Sequence, residues 1–204
     1  MPMSAPPGNS KKSASSSEKT GEWPLKKDLY DRHMISMGHS PVFSEDEADF
    51  LLLPGGADIG MRPVRDEVEI KLYNVFSDTG RPTIGICRGL QMVLHIHGES
   101  LIEDIEDRLI NHMTQTKHWT GVSSWHKTKL GFLTNTRHHQ GFWANGINNK
   151  WTVLDETSDG ILEAVKGQDF LGVQWHPEMP EMSGTPALSW WVEQVNHFLY
   201  EKTR

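Results

Sequence analysis

A buried strand that turns directly into a helix is the feature that most constrains the fold of this sequence. Residues 83–86 (Thr-Ile-Gly-Ile) are small or apolar throughout, and residues 90–97 have helical character. Gly85, within the first segment, and Gly89, just before the second, bracket Cys87. Such a bracket forms a tight turn with no room for side chains at its flanks, and it projects the central side chain above the sheet. The segment therefore predicts an elbow within an α/β fold.

The remaining segments continue an alternation of strands and helices that is typical of a parallel sheet. Residues 50–53 (Phe-Leu-Leu-Leu) are apolar at every position, which suits a strand buried on both faces. Residues 99–149 have a weaker pattern, and we expect loops and short strands there. The predicted helices are 25–37, 65–77, 90–97 and 186–200, and the predicted strands are 41–43, 50–53, 83–86, 151–154, 161–165 and 170–175.

The composition indicates one domain preceded by a polar tail. A chain of 204 residues supports one sizeable core. Residues 1–21 are rich in Ser, Lys, Pro, Gly and Glu, so they cannot bury enough apolar surface to offset the entropy of ordering. We therefore predict a disordered tail at 1–21 and a single domain at 22–204.

Charge and hydropathy exclude several classes of partner. A formal charge of -7 argues against binding to nucleic acid, because such proteins usually carry a clustered basic excess. No apolar run reaches the ~20 residues that span a bilayer, and the N-terminus lacks the apolar stretch of a signal peptide, so we expect a cytoplasmic protein without a membrane partner. The single cysteine excludes an internal disulfide and a multi-cysteine metal site.

Cys87 is the candidate nucleophile. It lies at the tip of the elbow and at the start of the following helix, where the helix dipole and free amides favour the thiolate. A lone cysteine is more often a small buried apolar residue. The glycine bracket and the position between strand and helix favour the nucleophile instead.

A base for this thiol is predicted in Gln174-Trp-His176-Pro177-Glu178, directly after an apolar strand. Pro177 biases His176 toward extended geometry, so the side chains of His176 and Glu178 point to the same side. Glu178 can then orient one imidazole nitrogen while the other faces Cys87, which predicts a Cys-His-Glu triad.

Backbone amides at two other positions complete the predicted chemistry. Gly55 and Gly56 end another buried strand, and we assign the oxyanion hole to the amides of Gly56 and Arg88. A zinc site built from the 11 histidines is a poor alternative, because no pair has a helical ligand spacing with a third ligand nearby. We therefore expect no metal.

Five motifs occur in order along the chain. They are 53–58 (Leu-Pro-Gly-Gly-Ala-Asp), 85–91 (Gly-Ile-Cys-Arg-Gly-Leu-Gln), 138–142 (His-His-Gln-Gly-Phe), 159–164 (Asp-Gly-Ile-Leu-Glu-Ala) and 172–178 (Gly-Val-Gln-Trp-His-Pro-Glu). Together these motifs resemble the class I glutamine amidotransferases, and most closely their γ-glutamyl-γ-aminobutyrate hydrolase-like branch. The resemblance implies a flavodoxin-like three-layer sandwich with a mostly parallel central sheet, a γ-glutamyl thioester on Cys87, and no metal or organic cofactor.

The resemblance also implies which residues contact a small γ-glutamyl substrate. Gln91 matches the glutamine that holds the side-chain amide of the substrate, and 139–142 match the loop at its amino acid end. The residues expected to bind substrate are Gly55, Gln91, His139, Gln140, Gly141 and Phe142.

Two departures from the family pattern concern the sheet and the substrate side. Family members begin with an apolar strand inside the sheet, and residues 1–24 contain no apolar run that could form it, so we expect the first strand to be absent or the start to be unusual. The region 112–136 is also short, which would open or reshape the pocket.

Three functions fit these features. The first is hydrolysis of a γ-glutamyl amide, in glutamine or a γ-glutamyl amine. The second is a glutaminase subunit that delivers ammonia to a separate synthetase partner, and the third is a non-catalytic binding subunit. The forms 87–89 (Cys-Arg-Gly) and 138–140 (His-His-Gln) favour the stand-alone hydrolase.

Overall fold

A computed structural model describes residues 11–15, 24–42, 44–105 and 124–202. The strands are β1 (Lys12–Ser15), β2 (Ser40–Val42), β3 (Phe50–Leu53), β4 (Thr83–Ile86), β5 (Ser124–Lys127), β6 (Leu133–Thr136), β7 (Thr152–Glu156), β8 (Leu162–Lys166) and β9 (Phe170–Val173). The helices are α1 (Pro24–Ser36), α2 (Pro63–Asp78), α3 (Arg88–Ile96) and α4 (Pro186–Glu201), with a 3-10 turn at Pro180–Met182.

Seven of these strands form one mixed sheet in the order β2-β1-β3-β4-β9-β8-β7. The strands from β2 to β9 in this order pair in parallel, whereas β7 and β8 add an antiparallel edge. A separate antiparallel pair is formed by β5 and β6. The carboxyl ends of β3, β4 and β9 therefore lie side by side at one edge of the sheet.

Helices cover both faces of the sheet. Alternate residues of β3 point to opposite faces, so Phe50 and Leu52 pack with α1 and α4, whereas Leu51 and Leu53 pack with α2 and α3. Every residue of β3, β4 and β9 is buried, as expected for parallel strands covered on both faces. The predicted three-layer flavodoxin-like sandwich is confirmed.

The expectation that the first strand is absent is wrong. Strand β1 lies inside the sheet between β2 and β3, with Ala14 opposite both Val42 and Leu51. No pattern in the sequence marks β1, because Ser13 and Ala14 are buried but form no apolar run. Small residues are sufficient here, since main-chain hydrogen bonds hold the strand on both sides.

Polar contacts fix the position of β1. The Lys12 amide donates to Asp49 at 2.8 Å, and the Lys11 ammonium donates to the carbonyl of Leu199 at 2.5 Å. Residues 11–15 thus belong to the sheet, although the predicted tail at 1–21 included them. The other tail residues, 1–10 and 16–21, lie outside the described residues.

The region without a clear sequence pattern contains the hairpin of β5 and β6. The predicted short strands between 99 and 149 are confirmed there, whereas residues 106–123, which include most of the shortened 112–136 region, lie outside the described residues. Within the described ranges, no helix is both long and apolar enough to cross a membrane.

Candidate active site

Cys87 occupies the tight turn that the glycine bracket predicts. Its φ of 51° and ψ of -108° make it the one positive-φ residue other than glycine among the described residues. The Cys87 amide donates to the carbonyl of Val173 at 2.7 Å, and helix α3 begins at the next residue. This strained backbone holds the sulfur of Cys87 at the N-terminus of α3.

The flanking glycines are required by close packing. A Cβ atom on Gly89 would lie 2.0 Å from the carbonyl oxygen of Leu53, and one on Gly85 would lie 2.7 Å from the Phe170 ring. Because Leu53 belongs to β3 and Gly89 to α3, the start of α3 packs closely against the end of β3. The elbow therefore needs bare backbone at both flanking positions.

His176 and Glu178 meet beside Cys87. The Nδ1 atom of His176 lies 2.7 Å from Oε1 of Glu178. A Cβ atom on Gly55 would lie 2.7 Å from Cε1 of His176 and 3.4 Å from Cβ of Cys87, so the backbone of Gly55 lies against both residues. The structure thus brings the three predicted catalytic residues and the predicted glycine loop to the same edge of the sheet.

Electrostatics keep His176 protonated at neutral pH. Burial lowers the pKa of His176, but the charges of Glu178 and Cys87 and hydrogen bonds to both raise that pKa to about 10. Burial alone would raise the pKa of Glu178, but the charge and hydrogen bond of His176 outweigh burial and hold this pKa below its usual value. The imidazolium can therefore stabilise a thiolate on Cys87.

Asn135 holds the backbone of His176. The His176 amide donates to Oδ1 of Asn135 at 2.8 Å, and Nδ2 of Asn135 donates to the His176 carbonyl at 3.1 Å. Asn135 is fully buried in β6, so the hairpin positions the candidate base. Sequence analysis missed this residue, because its partner is far along the chain and no local pattern marks it.

Tyr30 links the glycine loop to the candidate triad. Its hydroxyl accepts a hydrogen bond from the Gly55 amide at 3.0 Å, and its hydrogen bond to Glu178 is one of the causes that lower the pKa of that carboxyl group. Burial, followed by the charges of Glu178 and Cys87, raises the pKa of Tyr30. The sequence placed Tyr30 only on the apolar face of α1.

Gln174 is a second polar residue that sequence analysis did not single out, although it lies within the 172–178 motif. Its amide Nε2 donates to the sulfur of Cys87 at 3.5 Å, and its Oε1 accepts from Gln91 at 3.3 Å. Gln91 also donates to the carbonyl of Gln140 at 3.0 Å. A chain of hydrogen bonds therefore connects the predicted substrate glutamine and substrate loop to the sulfur.

Arg65, which forms a buried ion pair with Glu69 of the same helix, supports the predicted oxyanion loop. Arg65 donates to the carbonyls of Pro54 and Gly55 at 3.2 and 3.1 Å, and it fills the space beside Gly56, where a Cβ atom would lie 1.9 Å from Nη1. Because Tyr30 uses the Gly55 amide, the amide of Gly56 stays the candidate oxyanion donor on this loop.

Arg88 contributes through its side chain as well as its backbone. The buried guanidinium pairs with Glu69 and Asp66 of α2, and it therefore turns away from Cys87. Asp66 in turn accepts from the Gly60 amide at 2.8 Å, just beyond the glycine loop. The Arg88 side chain thus locks α2 to α3, which leaves its amide as the predicted oxyanion donor.

The four residues predicted to contact the amino acid end of the substrate lie in different environments. His139 is partly exposed, with its Nε2 2.8 Å from Oδ2 of Asp58. Gln140 is buried and donates to Glu103 at 2.6 Å, and Gly141 exchanges backbone hydrogen bonds with Ile102. Phe142 is buried in the core, so its side chain does not reach the surface.

One group of metal-ligand side chains occurs within the described ranges. His126, His138 and Glu163 are all buried, and they place candidate ligand atoms within 4.8 Å of one another. Their spacing along the sequence gave no signal, because they lie on separate strands and a loop. The triad residues are not part of this group.

Several known proteins are similar to this chain. The family model described as Peptidase C26 matches residues 47–178. A glutamine amidotransferase-like protein of Lactococcus lactis is 28% identical over 64% of this chain and 66% of its own length. A γ-glutamyl-γ-aminobutyrate hydrolase of Escherichia coli O157:H7 is 31% identical over 70% of this chain and 65% of its own length. The chain thus spans about two thirds of the length of these relatives.

Other similarities extend over more of the chain at lower identity. An imidazole glycerol phosphate synthase subunit of Campylobacter jejuni is 25% identical over 78% of this chain and 88% of its own length.

Two solved structures share the fold. A glutamine amidotransferase of Thermotoga maritima has a TM-score of 0.56 at 13% identity and covers 95% of this chain and 94% of its own. A Thermoplasma acidophilum structure described as one subunit of a GMP synthase has a TM-score of 0.65 at 15% identity and covers 94% of this chain and 95% of its own. The family match over residues 47–178 carries the assignment, and the chain belongs to the Peptidase C26 family of class I glutamine amidotransferase-like hydrolases.

Proposed function

We propose that this chain hydrolyses the amide bond of a γ-glutamyl compound, with Cys87 as nucleophile, His176 as general acid and base, and Glu178 as the residue that orients His176. The observation that carries the proposal is the 2.7 Å contact of His176 with Glu178 at the edge where the Gly55 backbone lies against both Cys87 and His176. A nucleophile, an oriented base and bare amides at one place are the parts that acyl transfer needs.

The first half of the reaction forms a thioester. The sulfur of Cys87 attacks the amide carbonyl carbon, and the resulting oxyanion accepts hydrogen bonds from the amides of Gly56 and Arg88. When the carbon–nitrogen bond breaks, the leaving nitrogen takes a proton from His176. The amine or ammonia departs, and the γ-glutamyl group stays on Cys87.

The second half returns the enzyme to its starting state. A water molecule attacks the thioester carbon and gives one proton to His176, which is now neutral. The carbon–sulfur bond breaks, glutamate leaves, and the thiolate of Cys87 again faces the imidazolium of His176. No cofactor takes part in these steps.

A γ-glutamyl amine is the preferred substrate in this proposal. The 31% identical relative from E. coli is named a γ-glutamyl-γ-aminobutyrate hydrolase, which supports the preference. The relative that is a synthase subunit supports the alternative, in which ammonia from glutamine passes to a synthetase. His139 is the partly exposed member of the predicted substrate loop, so it is the candidate contact to the amino acid end of the γ-glutamyl group.

Steady-state assays on glutamine and on a panel of γ-glutamyl amines test the substrate. We expect turnover of at least one γ-glutamyl amine that exceeds turnover of glutamine. Glutamine as the best substrate, or activity only with a synthetase present, would replace this proposal with the ammonia-delivering subunit.

Labelling with a glutamine-analogue electrophile tests whether the site is catalytic at all. We expect covalent modification of Cys87 at one equivalent per chain, found by peptide mass spectrometry. Absence of both labelling and turnover would favour a non-catalytic binding subunit.

A further inference from the structure

Three buried side chains converge behind the predicted substrate loop. His126 comes from β5, His138 follows β6, and Glu163 comes from β8. Their relative exposures are 6%, 4% and 0%, so the group is shielded from bulk solvent. Such a set of two imidazoles and one carboxylate is outside the candidate triad, and the proposed reaction does not use it.

The distances within this group match those between ligands of one small metal ion. Nε2 of His126 lies 3.0 Å from Oε2 of Glu163, and Nε2 of His138 lies 3.7 Å from Oε1 of the same residue. Zinc bonds of about 2.0–2.2 Å in a tetrahedral site place neighbouring ligand atoms about 3.3–3.6 Å apart. The two distances lie just below and just above this range, and each involves a different oxygen of Glu163. Without an ion, Nε2 of His126 is at hydrogen-bond distance from Glu163 and also from Oγ1 of Thr134, at 2.8 Å, so a metal ion would replace these hydrogen bonds.

The hydrogen bond of His138 sets the direction of its lone pair. Nδ1 of His138 lies 2.9 Å from the carbonyl oxygen of Gln140, and because a carbonyl only accepts, Nδ1 carries the proton. In a neutral imidazole the lone pair is then on Nε2, which faces the carboxylate of Glu163. A cation between the two removes their repulsion, and a carbonyl on the opposite nitrogen is the usual partner of a metal-binding histidine.

We propose that His126, His138 and Glu163 bind one divalent transition-metal ion of the zinc class, with a water molecule as the fourth ligand. Two imidazoles and a carboxylate suit zinc among the common biological cations, whereas magnesium and calcium favour oxygen ligands.

The ion would join β5, β8 and the loop after β6. Through His138 it would also fix the Gln140 carbonyl, which accepts from Gln91. The role of the ion is therefore to support the structure of the loop behind the candidate active site. It takes no part in the proposed reaction.

The test uses the Cys87→Ser chain, because a thiolate beside His176 would itself bind zinc. Metal is first removed with a chelator. Titration with zinc, monitored by isothermal calorimetry, should then show one equivalent bound per chain. With free zinc at about 100 times the dissociation constant, the thermal midpoint should rise by about 5–10 °C. Cobalt in place of zinc should give the intense visible absorption of a four-coordinate site.

Variants of the ligands assign the site. In the same background, Glu163→Gln and His138→Gln should each weaken zinc binding at least tenfold, whereas His95→Gln, which changes an exposed histidine of α3, should leave binding unchanged. If a ligand variant fails to fold, the cobalt spectrum of the Cys87→Ser chain still tests the site.

Two results would overturn the proposal. One is the absence of stoichiometric zinc binding and of a four-coordinate cobalt spectrum. The other is binding that the folded ligand variants leave unchanged. In the first case, the group holds a shared proton in place of a metal ion.

Discussion

The carboxyl edge of the sheet and the segment from β5 to residue 142 build the site in different ways. At the edge, the candidate catalytic groups come from short motifs that directly follow β4 and β9. In the other segment, single polar side chains reach partners far along the chain, as Asn135 does with His176. Local motifs thus supply the candidate catalytic residues, while buried contacts between distant parts of the chain fix where those residues lie.

The largest effect is expected at the edge, where Cys87→Ser should remove activity and leave the fold intact. Oxygen is a poorer nucleophile than sulfur at neutral pH, so we expect kcat/KM on the best γ-glutamyl substrate to fall by about 10³-fold or more. Circular dichroism and thermal unfolding should match those of the parent. Activity near the parent level would mean that the motif around Cys87 does not supply the nucleophile.

Glu178→Gln should have the next largest effect, because it removes the charge that orients His176. We expect kcat to fall by about 10²- to 10⁴-fold, as loss of the orienting carboxylate does in a serine protease. A loss below tenfold would exclude Glu178 as the orienting residue.

The pH dependence of the same variant gives a second measurement. The folded pKa of His176 is about 10 and its ordinary value is 6.5, so the protonated pair stabilises the fold fully below pH 6.5 and loses this contribution as the pH rises through 10. The alkaline limb of kcat/KM should lie near pH 10 in the parent. In Glu178→Gln it should move to lower pH, because the largest cause that raises this pKa is gone.

Asn135→Ala tests the support that the hairpin gives to the edge. It leaves the partly buried amide and carbonyl of His176 without their side-chain partner, so we expect a loss of about 1–3 kcal/mol in the free energy of unfolding. We also expect a decrease in kcat with the KM little changed, because the base loses its position. The control is Asn149→Ala at an exposed position. If both variants behave alike, the hairpin does not position His176.

The sequence predicts the features that depend on local motifs better than those that depend on contacts between distant parts of the chain. The elbow at Cys87 and the strands β3, β4 and β9 were predictable, because continuous apolar runs and glycine brackets are local signals. Strand β1 was not, because Ser13 and Ala14 form no apolar run and are held by neighbours on both sides. A run of apolar residues predicts a strand whose large side chains pack in the core. It gives no signal for a short strand that is held mainly by main-chain hydrogen bonds to its neighbours.

The supporting residues of the site were less predictable than the candidate catalytic ones. Gln174 lies inside a motif, yet its contact with the sulfur of Cys87 depends on the pairing of β4 with β9. Asn135 and His138 become visible only when the hairpin is placed against β8 and β9. Each partner is set by strand order, which the sequence does not specify locally.

Tyr30→Phe should have the smallest effect, and it distinguishes a role of Tyr30 in the site from a role in core packing alone. The ring keeps its packing in the core, while the Gly55 amide loses its acceptor and Glu178 loses a hydrogen bond that lowers its pKa. One hydrogen bond is worth about 0.5–1.5 kcal/mol, so we expect kcat/KM to fall by about 2- to 10-fold.

The pH dependence of Tyr30→Phe gives a second measurement. The pKa of Glu178 should rise in this variant, so on acidification Glu178 should be protonated, and lose its charge, at a higher pH than in the parent. The acid limb of kcat/KM should therefore move to higher pH in Tyr30→Phe and stay in place in Tyr200→Phe, which changes an exposed residue of α4. An acid limb that does not move, with activity equal to the parent, would mean that Tyr30 serves the core alone and that the glycine loop is positioned by Arg65.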